Sequence, residues 1–92
     1  MPENQDDRLK RLRMRCWRRG MKEMDLILGP FADARLAGLD DPSLSLLEAM
    51  MEENDQDLFQ WATGQAAAPP HFATLMASIS AFARRRLTEG KP

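Results

Sequence analysis

The sequence predicts an all-α protein, a small five-helix bundle with short connections, and three observations carry that prediction. Apolar residues recur at helical spacings of three and four along the chain, most cleanly at Phe72, Leu75, Met76, Ile79, Phe82 and Ala83. Helix punctuation falls between these patterns, at Gly20, at Asp41-Pro42 and at Gly64. No stretch alternates apolar and polar residues with turn chemistry between partner strands. The 92 residues suit one helical domain, 1–92, with a thin core, but are few for an enzyme that must enclose a substrate. Order is expected over about 6–87, with fraying from Thr88 to Pro92.

The first helix is expected from a cap at Asp6 or Asp7 to about Arg18. Leu9, Leu12 and Cys16 share one face, while Arg8, Arg11, Arg15 and Arg18 line another. Gly20 stops it, being free to adopt the left-handed conformation that ends a helix. The second pattern runs from Met21 to about Leu36 through Met24, Ile27, Leu28, Phe31 and Ala34. Gly29-Pro30 falls inside it, and because the apolar phase carries across, the proline predicts a kink rather than two helices. Asp41, followed by proline at the first helical position, opens a third helix. Leu44, Leu47, Met50 and Met51 form its stripe, Leu46 broadens it, Glu48, Glu52 and Glu53 are solvated, and the helix should end by Asn54. A short fourth helix starts with Asp55 as cap and ends at Gly64; it needs Leu58 or Trp61 docked against neighbours to persist. After the connector 65–70, the last helix runs from about Pro70 to Leu87 and closes the core, with Arg84, Arg85 and Arg86 at the end its dipole favours.

Composition excludes several classes. No apolar run is long enough to span a membrane, and Met1-Pro2-Glu3-Asn4-Gln5-Asp6-Asp7 lacks the apolar core of a secretory signal and puts acidic residues first, unlike an Arg-rich transit peptide, so a cytoplasmic location is expected. Cys16 is the only cysteine and His71 the only histidine, which leaves no internal disulfide, no metal cluster and no nucleophile with its base on one element. Cys16 reads as a small, partly buried hydrophobe.

Charge is balanced but segregated. Every charged residue from Arg8 to Lys22 is basic, and every one from Glu23 to Asp57 except Arg35 is acidic. Helix one's basic face could therefore hold nucleic-acid phosphates, or the two blocks could neutralise each other within the molecule.

The densest segment is Arg18-Arg19-Gly20-Met21-Lys22-Glu23-Met24-Asp25, where a helix break, charge and apolar spacing coincide. On its residues alone it is a helix corner with a local Arg19–Glu23 ion pair, or a place where glycine admits another protein's backbone between a donor fork and a carboxylate. Trp17 through Asp25, then Leu28 and Phe31, then Asp55-Gln56-Asp57-Leu58-Phe59-Gln60-Trp61, resemble in order and spacing the flavinylation factors of succinate dehydrogenase, the SdhE type. The resemblance covers about residues 8–62, and the final helix is similar mainly in length and amphipathicity. Lys22 and Met24 stand where the family tolerates a basic and an apolar side chain.

The resemblance implies a five-helix assembly factor rather than an enzyme. Such a factor binds the flavoprotein subunit of succinate dehydrogenase, and in bacteria of fumarate reductase, and promotes the bond between FAD and a histidine of that subunit. Carried onto this chain, Arg19, Gly20 and Glu23 are the partner contacts, with Trp17, Met21, Met24 and Asp25 as support. FAD is held by the partner, none is expected to be bound tightly here, and neither a metal site nor a catalytic residue is implied. Trp17 or Trp61 could stack a flavin ring, but no glycine-rich phosphate loop follows a strand.

Overall fold

The structure, a computed structural model, describes residues 4–89, with side chains described through Arg86. Among the described residues there are five α-helices and no strand: α1 (Gln5–Trp17), α2 (Lys22–Arg35), α3 (Asp41–Met50), α4 (Asp55–Thr63) and α5 (Pro70–Glu89), with a 3-10 turn at Leu36–Gly38 after α2. The all-α class is as the periodicity predicts. The fraying expected from Thr88 meets a helical backbone through Glu89, while Gly90–Pro92 lie outside the described residues.

Three helix starts sit one or more residues earlier than the sequence suggests, for the same reason. Asn4, not Asp6 or Asp7, caps α1 by accepting the Asp7 N–H at 2.8 Å. Asp40, not Asp41, caps α3 through the Ser43 N–H at 2.9 Å, which puts Pro42 at the second helical position. Asn54, not Asp55, caps α4 through the Asp57 N–H at 2.8 Å. In each case the cap is a polar residue upstream of the expected acid, adjacent to it at Asp40-Asp41 and Asn54-Asp55 and two residues before Asp6 at α1, and the downstream acid joins the first turn, where negative charge complements the helix dipole. At the other end of α4, Gly64 takes φ +82°, the expected left-handed stop.

Pro30 does not split α2, which is one helix from Lys22 to Arg35. The carbonyl left without a donor belongs to Leu26, an exposed residue of α2. Ala34, expected on the core face, is exposed, and Ala32 is buried in its place.

Every helix contributes to one core. Leu12 and Cys16 of α1, Met24, Leu28, Phe31 and Ala32 of α2, and Leu36 pack with Leu44, Leu47 and Met50 of α3, Met51, Leu58 of α4, and Phe72, Leu75, Met76 and Ile79 of α5. No charged or polar residue is buried among the described residues. Charge instead joins the helices from outside the core, and that arrangement positions the site.

Candidate functional site

The site is the corner between α1 and α2. Helical geometry ends at Trp17, because Arg18 adopts φ −128°, ψ 56°; Gly20 follows at φ +97°, and Met21 is extended at the start of α2. A side chain at Gly20 would meet nothing within 4 Å, so the glycine answers to backbone conformation, and its outer surface is open. Met21 offers no side-chain cap. The carboxylate of Asp25 turns back across the corner and accepts the Arg19 N–H at 2.6 Å, closing the bend from within.

Arg19 fastens this corner to the turn between α3 and α4. Its Nε donates to Asp55 Oδ1 at 2.8 Å, Nη1 to the Met51 carbonyl at 2.6 Å, and Nη2 to the Glu53 carbonyl at 2.7 Å. The Met51 carbonyl caps the end of α3, where helix geometry leaves acceptors without donors, and that of Glu53 lies in the turn that follows. A cation there also complements the negative end of the helix dipole. The ion pair expected between Arg19 and Glu23 is therefore not formed: only 11% of the Arg19 side chain is exposed, and its carboxylate is Asp55. The two sequence stretches that carry the family resemblance are thus bonded to each other. Glu23 is exposed and, among the described residues, has no hydrogen-bond or ion-pair partner.

The same pattern continues down α1. Arg15 donates to Glu52 at 2.7 Å and to the Met51 carbonyl, Arg11 to Glu48 at 2.7 Å, and Arg8 to both oxygens of Glu48 and to Ser45, with Asp41 at 3.5 Å. Arginine and acid numbers rise together, so α1 and α3 run in the same direction with their charged faces opposed. The hydrogen bond from Arg8 holds the Glu48 carboxyl below the usual carboxylate range, and Arg11 adds to it. The face that could have held nucleic-acid phosphates is therefore occupied by the protein's own acids. Arg18, grouped with that face in the sequence, is exposed without a partner among the described residues.

On the opposite side of α1, the Trp17 indole lies against Gly29 of α2, where a Cβ would come closer than 3.0 Å to its ring. Its Nε1 donates to Asp33 at 3.2 Å, and Asp33 also pairs with Arg13 at 3.4 Å. Trp17 remains 37% exposed, as do Met14 and Leu26 at 53% each, one turn to either side of the corner.

Of the residues singled out in the sequence, Gly20, Glu23 and Trp17 present surface at or beside the corner. Met21 is half-buried against the core, and Asp25 is half-buried beneath the bend. Met24 is fully buried in the core and presents no surface at the corner. Cys16 is also fully buried, more deeply than expected; burial pushes its thiol up to about 11 despite nearby Arg19 and Arg15. His71 is exposed on α5, and Trp61 packs half-buried against Phe72. Sequence reasoning missed Asp55 as the partner of Arg19, and Gly29 as the platform for Trp17. The only signal for the latter was a buried helical glycine read as part of a proline kink. Met14 and Leu26 were detectable as apolar residues out of phase with the core stripes of α1 and α2.

The fold and the corner define a small helical protein whose charged faces are satisfied internally and whose exposed features gather where α1 turns into α2. Residues 10–83 match the family model described as the flavinator of succinate dehydrogenase, and the chain belongs to that family. It is 33% identical over 72 residues to the FAD assembly factor SdhE of Shewanella oneidensis, covering 77% of this chain and 87% of that protein. It is 35% identical over 69 residues to the mitochondrial succinate dehydrogenase assembly factor 2 of Drosophila grimshawi, covering 73% of this chain and 47% of that protein. The corresponding factor of Mycosarcoma maydis is 32% identical over 71 residues, covering 77% of this chain and 30% of that protein. The chain thus spans less than half the length of these two mitochondrial relatives. No helix among the described residues is long and apolar enough to cross a membrane.

Proposed function

We propose that this protein binds the flavoprotein subunit of succinate dehydrogenase, and in bacteria that of fumarate reductase, and promotes covalent attachment of FAD to a histidine of that subunit. It acts as an assembly factor without turnover of its own, and the FAD is the partner's. The observation that carries the reading is the α1–α2 corner in a chain of this family. There an exposed glycine at φ +97° with open space around it stands three residues from a carboxylate that has no partner among the described residues.

In this reading Gly20 admits a partner backbone, Glu23 accepts from it, and Trp17, Met14 and Leu26 supply apolar contact beside it. Arg19 and Asp25 act from beneath by fixing the bend. Lys10 of α1, Arg18 in the bend and Lys22 of α2, all exposed, favour an acidic rim on the partner. Joining a histidine nitrogen to the flavin 8-methyl carbon needs the two held in register, and well-oriented groups gain about 7 to 11 kcal/mol over free encounter. A rigid wedge that holds the flavoprotein's domains supplies that geometry, and no proton relay beside Glu23 is required.

The test is co-expression with a succinate dehydrogenase flavoprotein subunit in a host deleted for its own factor, reading covalent flavin as in-gel fluorescence after denaturation. Fluorescence should require the chain, fall strongly with Glu23→Gln while thermal unfolding stays unchanged, and fall with Gly20→Val. Equal fluorescence with and without the chain would refute the reading.

A further inference from the structure

At the other end of α2, about 20 Å along the helix from the corner, lies a cavity of about 290 Å³ that plays no part in the reading above. Phe31 and Arg35 of α2, Leu39 beyond the 3-10 turn, and Ser78, Ala81, Phe82 and Arg85 of α5 line it. Ser78 stands three and four residues before Ala81 and Phe82, and Arg85 four and three after them, which puts the α5 residues on one stripe; Arg35 is one turn beyond Phe31. Phe31 and Phe82 meet edge to face with centroids 5.9 Å apart, which makes the walls apolar and fixed. The guanidinium of Arg35 lies 5.3 Å from the centre of the Phe82 ring.

Two features point to a ligand. No acid is among the described residues that line the cavity, where the Arg35 guanidinium and the Ser78 hydroxyl are the polar groups the assignment uses. Arg35, moreover, is held by the ring and not by a carboxylate: it has no hydrogen bond or ion pair among the described residues. A contact with a ring takes up none of the guanidinium's N–H donors as a carboxylate would, and the geometry of that fork matches a carboxylate. The volume is at the small end of ligand pockets, which run from about 300 to 1,000 Å³.

We infer that this cavity binds a small aromatic monocarboxylate, its ring against Phe31 and Phe82 and its carboxylate on Arg35 with Ser78 alongside. An exposed arginine–carboxylate pair alone contributes little, so the apolar body is required as well as the charge. An affinity on the order of 1 mM is expected for so few atoms.

The probe is 3-phenylpropionate, titrated into the full chain to about 10 mM, tenfold above that expectation, and followed by backbone amide chemical shifts. Saturable shifts should be confined to Phe31, Arg35, Leu39, Ser78, Ala81, Phe82 and Arg85. The uncharged 3-phenylpropanamide should bind about tenfold more weakly, as should 3-phenylpropionate to Arg35→Gln, because each removes one charge of a charge-assisted pair. Spectral dispersion of Arg35→Gln shows whether that variant is folded, and the amide arm tests the same pairing without any mutation. Absence of saturation, equal binding of the amide, or an unchanged affinity in Arg35→Gln would overturn the assignment. So would concentration-dependent shifts at these residues without ligand, which would give the cavity to a second copy of the chain. None of these outcomes bears on covalent flavin attachment, so the two readings fail separately.

Discussion

Arg19→Gln tests whether Arg19 builds the corner from beneath or is itself a contact for the proposed partner. The guanidinium donates to the Asp55 carboxylate at 2.8 Å and to the Met51 and Glu53 carbonyls at 2.6 and 2.7 Å. Glutamine is shorter, uncharged, and can reach one of these acceptors at most. Hydrogen bonds to charged groups contribute about 1.5 to 3 kcal/mol each. The Asp55 side chain is 20% exposed, so water compensates part of its loss. Losing two or three of these bonds should therefore cost about 3 kcal/mol, a large share of the roughly 5 to 15 kcal/mol that holds a small domain folded. Urea unfolding followed by circular dichroism measures the loss, and Arg19→Lys should recover about 1 kcal/mol of it through a single charged bond. A cycle with Asp55→Asn should return a coupling of about 1 to 3 kcal/mol. A loss below about 0.5 kcal/mol, the range of ordinary surface changes, would refute the staple. The same variant assayed for flavinylation at a temperature where it is folded completes the argument. Full loss of covalent flavin without loss of stability would mean that Arg19 itself reaches the partner.

Gly29→Ala should destabilise the protein by about 2 kcal/mol although alanine is the better helix former by about 1 kcal/mol, because the new methyl group displaces the Trp17 ring. In a Trp61→Phe background the displaced indole should show red-shifted fluorescence. Glu48, whose carboxyl is depressed by Arg8, contributes stability at pH values above the unfolded carboxylate range, about 4.3, that is lost as pH falls through its lower folded value. The urea-midpoint difference between wild type and Glu48→Gln should thus shrink on acidification from pH 7 to below about 4. Cys16 has the opposite sign: its folded thiol keeps its proton up to about 11, whereas the unfolded thiol releases it near about 8.5. Stability should fall between those values by up to about 3 kcal/mol relative to Cys16→Ala. Below pH 8.5 thiol reagents should label Cys16 only through unfolding.

The helices were legible because their information is local. Apolar spacing placed each core stripe, and Gly64 and Pro42 marked ends whose physics is contained in a few residues. Errors of one residue arose where two capping side chains adjoin, as at Asp40-Asp41 and Asn54-Asp55, because both satisfy the same local rule and tertiary packing selects between them. Ala34 was misplaced for a related reason: alanine costs little in either environment. The composition of the corner was equally visible, but its wiring was not. Arg19 had Glu23 and Asp25 within reach in the sequence, yet its side chain pairs with Asp55, 36 positions away. Nothing in the local pattern distinguishes a near acid from a distant one. Gly29 shows the same limit, since the ring that requires its missing side chain comes from another helix.

The basic block of α1 is better understood as a device for rigidity than as a surface for ligands. Arg8, Arg11, Arg15 and Arg19 meet Glu48, Glu52 and Asp55 on the side toward α3 and the turn that follows it. Each such pair near the surface contributes modestly, but three arginines of α1 in register, with Arg19 at the corner beyond it, resist rotation of α1 about its axis. Rotation would carry Trp17 off Gly29 and open the bend that Asp25 closes. The charged face thus fixes the orientation of the opposite face, where Met14, Trp17 and Leu26 are exposed beside Gly20 and Glu23. A partner that docks there meets a surface already in place, and preorganisation of that kind lowers the entropic cost of binding. It follows that Glu48→Gln combined with Glu52→Gln, neither of which lies at the corner, should weaken partner binding through looser geometry. High salt should reduce the difference between that double variant and the wild type, because screening removes the same interactions in both. Affinity equal to wild type at low salt would show that the corner holds its shape without them.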